Sequence, residues 1–382
     1  MNEDIKPFKI DVPEATLEDL RDRLARTRWP DEVNDENWSY GTDLSYLKEL
    51  CGYWKDKYDW RAREAELNRF PQFTTEIDGL NIHFIHARSR EPEALPLIIT
   101  HGWPGSIVEF TKIIDPLTDP VAHGGEAQDA FHVVCPSLPG YGFSDAAGKP
   151  GMGLEQIAGI QATLMARLGY ARYGAQGGDW GAMVSTFMGA VDAAHCIGIH
   201  LNLVAAGPPG GVEDPTAGLT PRELKYIEES RKFQAEEMGY FQIQCTRPQS
   251  IGYGLNDSPA GLAGWIVEKF RVWSDCNGDV ESKYTKDELL TNIMLYWVTG
   301  TITSSMRLYF EAIHAGLGVG TSDVPVGGAI FPMDVVKVPR SWAEKQFNLI
   351  HWTEMPSGGH FAAMEEPELL TRDIRKFFRR VR

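Results

Sequence analysis

The sequence lacks the features of several protein classes. No apolar run reaches the ~18 residues that a membrane-spanning helix needs, and the opening stretch MNEDIKPFKI is too polar for a secretory signal. The cysteines number only 5 in 382 residues and show no CxxC spacing, which indicates reduced thiols rather than a disulfide framework. We therefore expect a cytoplasmic protein without an integral membrane anchor.

Positive charge and metal-binding motifs are also scarce. Lysine and arginine number 37 against 53 acidic residues, a net charge of −16, which excludes nucleic acid as a partner. No HExxH motif or Cys/His cluster is present, and His83 and His86 should point to opposite faces of a predicted strand. The stretch GLGVGT, residues 316–321, has neither the lysine nor the helix of a P-loop. We expect no metal and no cofactor.

Residues 1–75 have helical patterns that are rich in tryptophan and tyrosine. Thr16 is placed to cap the stretch LEDLRDRLARTRW, in which Leu17, Leu20 and Leu24 fall on one face. We expect this segment to be a helical meander that wraps around a larger core.

The pattern then changes to alternating strands and helices. FTTEI and LNIHFIHA flank Asp78-Gly79, a strong hairpin signal, and later apolar strands end in Gly/Pro loops that precede helical segments. This alternation predicts an α/β fold with a mostly parallel central sheet flanked by helices. We assign residues 76–219 and 321–382 to this core. Residues 220–320, which have helical patterns throughout, are predicted to form a lid.

One turn of this core has the pattern that presents a nucleophile. Gly177-Gly178-Asp179-Trp180-Gly181 follows a strand-like run and has small residues on both sides of the central position. Such an elbow usually presents a serine, but here it presents Asp179. An aspartate could serve there as a helix N-cap, yet the surrounding glycines favour a nucleophile.

Candidate partners for this nucleophile follow other predicted strands. In open α/β sheets, reactive groups gather beyond the carboxyl ends of the strands, where the 101–105 loop, Asp334 and His360 fall. The order nucleophile, acid, histidine is that of the α/β-hydrolases. His360 follows two glycines and is a candidate base. Asp334 is the first candidate to orient it, with Asp323 and Glu365 as alternatives.

The sequence as a whole resembles the microsomal-type epoxide hydrolases of the α/β-hydrolase superfamily. The resemblance covers nearly the entire chain and rests on HGWPGS (101–106), GGDWG (177–181), GYFQIQCTRP (239–248), LNDSPAGLAGWIVEKF (255–270), LLTNIMLYWVTGTITSSMRLYFE (289–311) and GGHFAAMEEPELL (358–370). It implies an α/β-hydrolase fold with a helical lid and an N-terminal helical meander. The sequence departs from the family in two respects: we expect no membrane-anchoring N-terminus like that of the mammalian members, and some members carry glutamate where this chain has Asp334.

The resemblance also implies roles for individual residues and a reaction. The implied set consists of the nucleophile Asp179, the general base His360, the orienting acid Asp334, the epoxide-oxygen donors Tyr240 and Tyr309, and the oxyanion-hole amides of Trp103 and Trp180. The implied product is a vicinal diol, and the implied substrate is an epoxide, which the many aromatic residues suggest is apolar or aromatic. A homodimer is left open.

The chemistry of the electrophile explains an aspartate in the elbow. An epoxide is attacked at a saturated carbon, so a serine nucleophile would form an ether that water could not cleave. A carboxylate forms an ester, which activated water can hydrolyse.

Two other functions compete with epoxide hydrolysis. A haloalkane or haloacid dehalogenase uses the same Asp and His but stabilises a halide with tryptophan or other N–H donors, whereas Tyr240 and Tyr309 favour an epoxide. A non-catalytic ligand-binding protein on this fold would typically have lost one of the three catalytic positions, and here all are present. The natural substrate, the selectivity and the biosynthetic, catabolic or detoxifying role stay open.

Overall fold

A computed structural model describes residues 4–33, 37–211, 213–318, 320 and 322–382. Within these residues the chain forms one sheet of nine strands, in the order β1-β2-β3-β5-β4-β6-β7-β8-β9. The strands are β1 (Lys6–Phe8), β2 (Gln72–Ile77), β3 (Leu80–Ala87), β4 (Leu95–Thr100), β5 (Phe131–Pro136), β6 (Tyr173–Gly177), β7 (Cys196–Leu201), β8 (Val326–Ile330) and β9 (Leu349–Glu354). Three pairs are antiparallel, namely β1 with β2, β2 with β3, and β3 with β5. The remaining pairs in the sheet, from β5 with β4 to β8 with β9, are parallel.

Helices cover this sheet and follow its strands. They are α1 (Glu14–Ala25), α2 (Leu44–Asp56), α3 (Trp60–Leu67), α4 (Ile114–Thr118), α5 (Leu154–Arg167), α6 (Asp179–Val191), α7 (Pro221–Glu236), α8 (Gly239–Thr246), α9 (Pro248–Asp257), α10 (Pro259–Val272), α11 (Lys286–Thr299), α12 (Ile302–His314), α13 (Arg340–Gln346), α14 (Ala362–Glu365) and α15 (Pro367–Phe378). No described helix has the combination of length and apolar character that a bilayer crossing requires.

The hairpin at Asp78-Gly79 is confirmed. Both residues have positive φ, 52° and 79°, and they join β2 to β3 in a two-residue turn. Type I′ turns require this backbone at both central positions, and their twist matches that of the paired strands. The antiparallel part of the sheet is therefore built from local sequence signals.

The N-terminal segment departs from the prediction in two places. Helix α1 begins at Glu14, after Pro13, with no side-chain cap, so Thr16 lies inside the first turn and the predicted cap is wrong. The short strand β1, which pairs with β2, was not predicted in this segment. A three-residue edge strand that contains proline gives almost no periodic signal. The apolar face of α1 is as predicted, since its leucines at 17, 20 and 24 are buried.

Helices α7 to α12 lie between β7 and β8 and contact the loop that follows β4. Asn292 on α11 donates a hydrogen bond to the carbonyl of Pro104 (2.8 Å) and accepts one from the Ser106 hydroxyl (2.7 Å). The buried Tyr296 hydroxyl donates to the carbonyl of Gly105 (2.6 Å). These buried bonds fix the helical insertion directly above that loop.

The topology identifies one edge of the sheet as the place for a site. From β4 the chain crosses to β5 on one side and then to β6 on the other, so the strand order reverses between β4 and β6. Open α/β sheets bind ligands in the crevice outside the carboxyl ends of strands at such a point.

Candidate active site

The carboxyl end of β6 carries Asp179 on a strained turn. Its φ is 50°, a left-handed conformation that is uncommon for residues other than glycine and tends to occur at functional sites. The glycines around it are required for space: a Cβ at Gly177 would overlap the carbonyl of Gly181, and one at Gly181 would overlap the carbonyl of Thr100. The sequence thus permits β6 to turn directly into α6 and to present Asp179 at its first residue.

The loop after β4 lies against the Asp179 carboxylate. The backbone amide of Trp103 donates a hydrogen bond to Oδ1 of Asp179 (2.8 Å). A Cβ at Gly102 would overlap the same carboxylate, so only glycine allows this close approach. The buried His101 connects this loop to the loop after β5, because its Nε2 accepts a hydrogen bond from the amide of Leu138 (3.2 Å). Burial lowers the pKa of the His101 imidazole to about 4.

His360 lies between two carboxylates. Its Nε2 is 3.3 Å from Oδ2 of Asp179, and its Nδ1 is 2.8 Å from Oδ1 of Asp334. Asp334, rather than Asp323 or Glu365, makes this contact with Nδ1. Glu365 instead accepts from the amides of Phe361 and Asp275.

Backbone contacts hold the histidine in this position. The amide of His360 donates to the carbonyl of Trp273 (2.8 Å), which lies just beyond the end of α10. The residue before it, Gly359, pairs with Met333 in a parallel bridge, so the loops after β8 and β9 run side by side. Asp334 and His360 therefore meet although they are 26 residues apart in sequence.

The charges around His360 determine its protonation. Burial lowers the pKa of the imidazole, but the Asp334 and Asp179 carboxylates outweigh burial and raise the pKa well above its ordinary value. The two carboxylates therefore favour the imidazolium form of the resting histidine. Loss of either negative charge would lower its pKa.

Tyr240 and Tyr309 from the helical insertion face the same crevice. Their rings are 6.0 Å apart, and both pack on Trp103, Tyr240 in a parallel stack at 5.4 Å and Tyr309 edge-on at 5.8 Å. Burial raises the pKa of each phenol, and the Asp179 carboxylate raises it further. Both phenols therefore keep their protons at neutral pH and can donate hydrogen bonds.

Several aromatic rings pack around Tyr309 and His360 near Asp179. The Trp180 ring meets Tyr309 edge-on at 4.7 Å, Phe241 meets the same tyrosine at 5.3 Å, and Trp273 lies 5.1 Å from the His360 ring. Trp273 was not predicted as part of the site, and no motif marks it. Dry, apolar walls of this kind strengthen the electrostatic interactions inside them.

A second unpredicted residue is a buried carboxylic acid. Glu109 lies in the 3₁₀ turn Ile107–Lys112 after HGWPGS, close enough to sense the charges of Asp179 and His360. Burial raises its pKa to about 8, with a further contribution from Asp179. The S-x-x-E spacing is a sequence signal for a capping box, but it does not reveal proximity to the nucleophile.

Comparison with known proteins places this geometry in a family. The model for the epoxide hydrolase N terminus matches residues 5–110, and that for the alpha/beta hydrolase fold matches residues 96–207. A relative from Stigmatella aurantiaca is 49% identical over 379 residues, which are 99% of this chain and 86% of that protein. Epoxide hydrolase 1 of Sus scrofa is 41% identical over an alignment of 403 positions, gaps included, which covers 98% of this chain and 89% of that one. The chain belongs to the epoxide hydrolase family.

A solved structure agrees with this assignment. The crystal structure of juvenile hormone epoxide hydrolase from the silkworm Bombyx mori superposes on this epoxide hydrolase with a TM-score of 0.92 at 34% identity, over 99% of this chain and 95% of that one. The predicted α/β-hydrolase fold and the predicted enzyme family are therefore confirmed.

Proposed function

We propose that this epoxide hydrolase forms a covalent ester between Asp179 and its substrate and then hydrolyses that ester to a vicinal diol. The observation that carries the proposal is the unbroken chain of contacts from Asp179 through His360 to Asp334, 3.3 Å and 2.8 Å long. These three residues supply a nucleophile, a base and a group that holds the base in one tautomer.

In the first step the Asp179 carboxylate attacks an epoxide carbon and the carbon–oxygen bond of the ring breaks. Tyr240 and Tyr309 donate hydrogen bonds to the developing alkoxide, which takes a proton from one of them. Their raised pKa values support this role because a phenol that stays protonated can donate throughout the step. The epoxide would bind between the nucleophile and these donors.

In the second step His360 acts as the base. Esterification removes the Asp179 charge, one of the two charges that keep the imidazole protonated. His360 then releases its proton to the phenolate left by the first step, which restores the phenol and leaves the imidazole neutral. Neutral His360 deprotonates a water molecule that attacks the ester carbonyl, and the amides of Trp103 and Trp180 donate hydrogen bonds to the oxyanion. Collapse of this intermediate breaks the ester bond, and the departing diol oxygen takes the proton of the new carboxyl group, which restores the Asp179 carboxylate and leaves His360 protonated as at the start. The existing bond from Trp103 to Asp179 supports this assignment.

The same proposal extends to the substrate, the lid and the compartment. The aromatic wall around Asp179 favours an apolar or aromatic epoxide. Residues 220–320 would act as the lid that carries both tyrosines, and residues 1–75 as the meander around the core. Five buried free cysteines are in keeping with a reducing compartment such as the cytoplasm.

The coupling between Asp179 and His360 can be measured by histidine NMR. We expect the pKa of His360 to be lower in Asp179→Asn than in the wild type, because the amide mimics the neutral ester and removes one negative charge. The ring resonances of His360 should therefore lose their proton at lower pH in the variant. The half-buried His132, which has no contact with Asp179, serves as the internal reference. An unchanged His360 titration would contradict the sequence of steps proposed here.

A further inference from the structure

Lys269 is a buried cation whose charge faces Tyr240. It lies on α10 of the helical insertion and is only 5% exposed. Its Nζ is 4.8 Å from the centroid of the Tyr240 ring and 5.8 Å from that of Trp265. The neighbouring Glu268 carboxylate forms an ion pair with it. The lid therefore brings a positive charge against the face of one of the two phenols.

Packing alone does not account for a lysine at this position. Burying an ion pair costs as much as the pair returns, and replacement by apolar residues of similar volume is often neutral or stabilising. The neighbours Leu262, Ile266 and Phe270 on the same helix are fully buried and apolar. A charge retained among them is best explained by an interaction that needs a charge.

We propose that Lys269 is a positioning residue for epoxide opening, which holds the Tyr240 ring through its face and stabilises negative charge that develops on the phenol oxygen. The proposal rests on the donor role of Tyr240 given above. A cation over an aromatic face is attracted by the ring quadrupole, and more strongly when the site is desolvated. As Tyr240 gives its hydrogen bond to the alkoxide, its oxygen becomes more negative and the attraction to the ammonium grows.

The surroundings of Tyr240 make such a cation useful. Burial raises the pKa of this phenol, and the charges of Asp179 and Glu268 add to the effect, so the phenol is a weak acid. Trp103 stacks on the ring and Trp273 lies 5.2 Å from it, but neither contributes a charge. Among the described contacts of Tyr240, Lys269 is the cation over its ring.

The test compares three variants in single-turnover kinetics with an aryl epoxide. We expect Lys269→Met to slow ester formation about tenfold and to leave ester hydrolysis within about twofold of the wild type. Lys269→Arg, which keeps a cation, should retain most of the rate. The double variant Glu268→Gln with Lys269→Met removes both members of the ion pair, so it leaves no unpaired Glu268 carboxylate. This double variant should show the same slow ester formation as Lys269→Met, whereas recovery to the wild-type rate would overturn the proposal.

A double-mutant cycle with Tyr240→Phe separates this role from a structural one. Phenylalanine keeps the ring and its contact with Lys269 but removes the hydroxyl, so Lys269→Met should cause little further loss of ester formation in that background. The same tenfold loss in both backgrounds would overturn the proposal. Normal ester formation in Lys269→Met, with slow ester formation in Tyr240→Phe, would overturn it and leave the donor role intact. Normal ester formation in Tyr240→Phe would overturn the donor role itself.

Discussion

Asp179→Asn lowers kcat/KM for epoxide hydrolysis by roughly 10⁴-fold or more, the scale seen when an enzyme loses its nucleophile. The amide is a poor nucleophile, and Asp334 cannot take its place, because it lies on the far side of the His360 ring. The measurement is steady-state diol formation from an aryl epoxide. The fold should be unchanged, since the asparagine can keep the left-handed backbone and accept the bond from Trp103.

Deamidation is the main complication of that experiment. Hydrolysis of the new amide would regenerate Asp179 and would appear as activity that increases with storage, together with a matching mass change of the protein. Asp257→Asn is the matched control because it makes the same chemical change at a carboxylate with 80% side-chain exposure, and it should leave turnover unaltered. Undiminished turnover in freshly prepared Asp179→Asn would remove Asp179 from the role of nucleophile.

The combined variant Tyr240→Phe with Tyr309→Phe slows ester formation by roughly 10²- to 10³-fold or more, the effect of deleting one preorganised donor to a developing oxyanion. Ester hydrolysis should change far less, because the proposed role of the tyrosines is at the epoxide oxygen and not at the ester carbonyl. Each single variant should slow ester formation clearly but less than the combined variant does, since the remaining phenol can still donate. Rapid-quench kinetics resolves the two steps.

A lid tyrosine outside the crevice provides the control for this pair. Tyr226 on α7 is also buried, but its hydroxyl contacts Arg222 rather than any group near Asp179. Tyr226→Phe should keep both rates. If the combined variant forms the ester normally and hydrolyses it slowly, the donor role of the two phenols is wrong.

Local chemistry explains which parts of the molecule could be predicted from the sequence. The Asp78-Gly79 turn and the elbow around Asp179 depend on glycine and on a few adjacent residues, so their backbone can be deduced from short stretches. The failure at Thr16 has a comparable local reason. Pro13 and Glu14 already start the helix, because proline suits the entry and an acidic first turn favours the dipole.

The interior of the site depends on contacts that no short stretch contains. Trp273 reaches His360 across 87 residues of sequence, and Lys269 reaches Tyr240 from a different helix. From the sequence, Trp273 and Lys269 are only positions in or beside a helical pattern. The periodicity of such a pattern predicts which face of a helix is buried, but not which residues that face contacts. The raised pKa of Glu109 likewise follows from burial by distant elements. Asp179, Asp334 and His360 could be selected from the sequence, whereas the neighbouring Trp273 ring and the buried Glu109 could not.

The most direct test of the covalent mechanism is the intact mass of His360→Gln after mixing with an aryl epoxide. This variant keeps the nucleophile and lacks the base, so the ester should accumulate. We predict that the protein gains the whole mass of the epoxide, that peptide mapping locates the addition at Asp179, and that a haloalkane gives no adduct. An adduct formed only from the haloalkane, with loss of HX, would instead indicate a dehalogenase. No adduct with the epoxide, while the wild type produces diol, would contradict the ester intermediate.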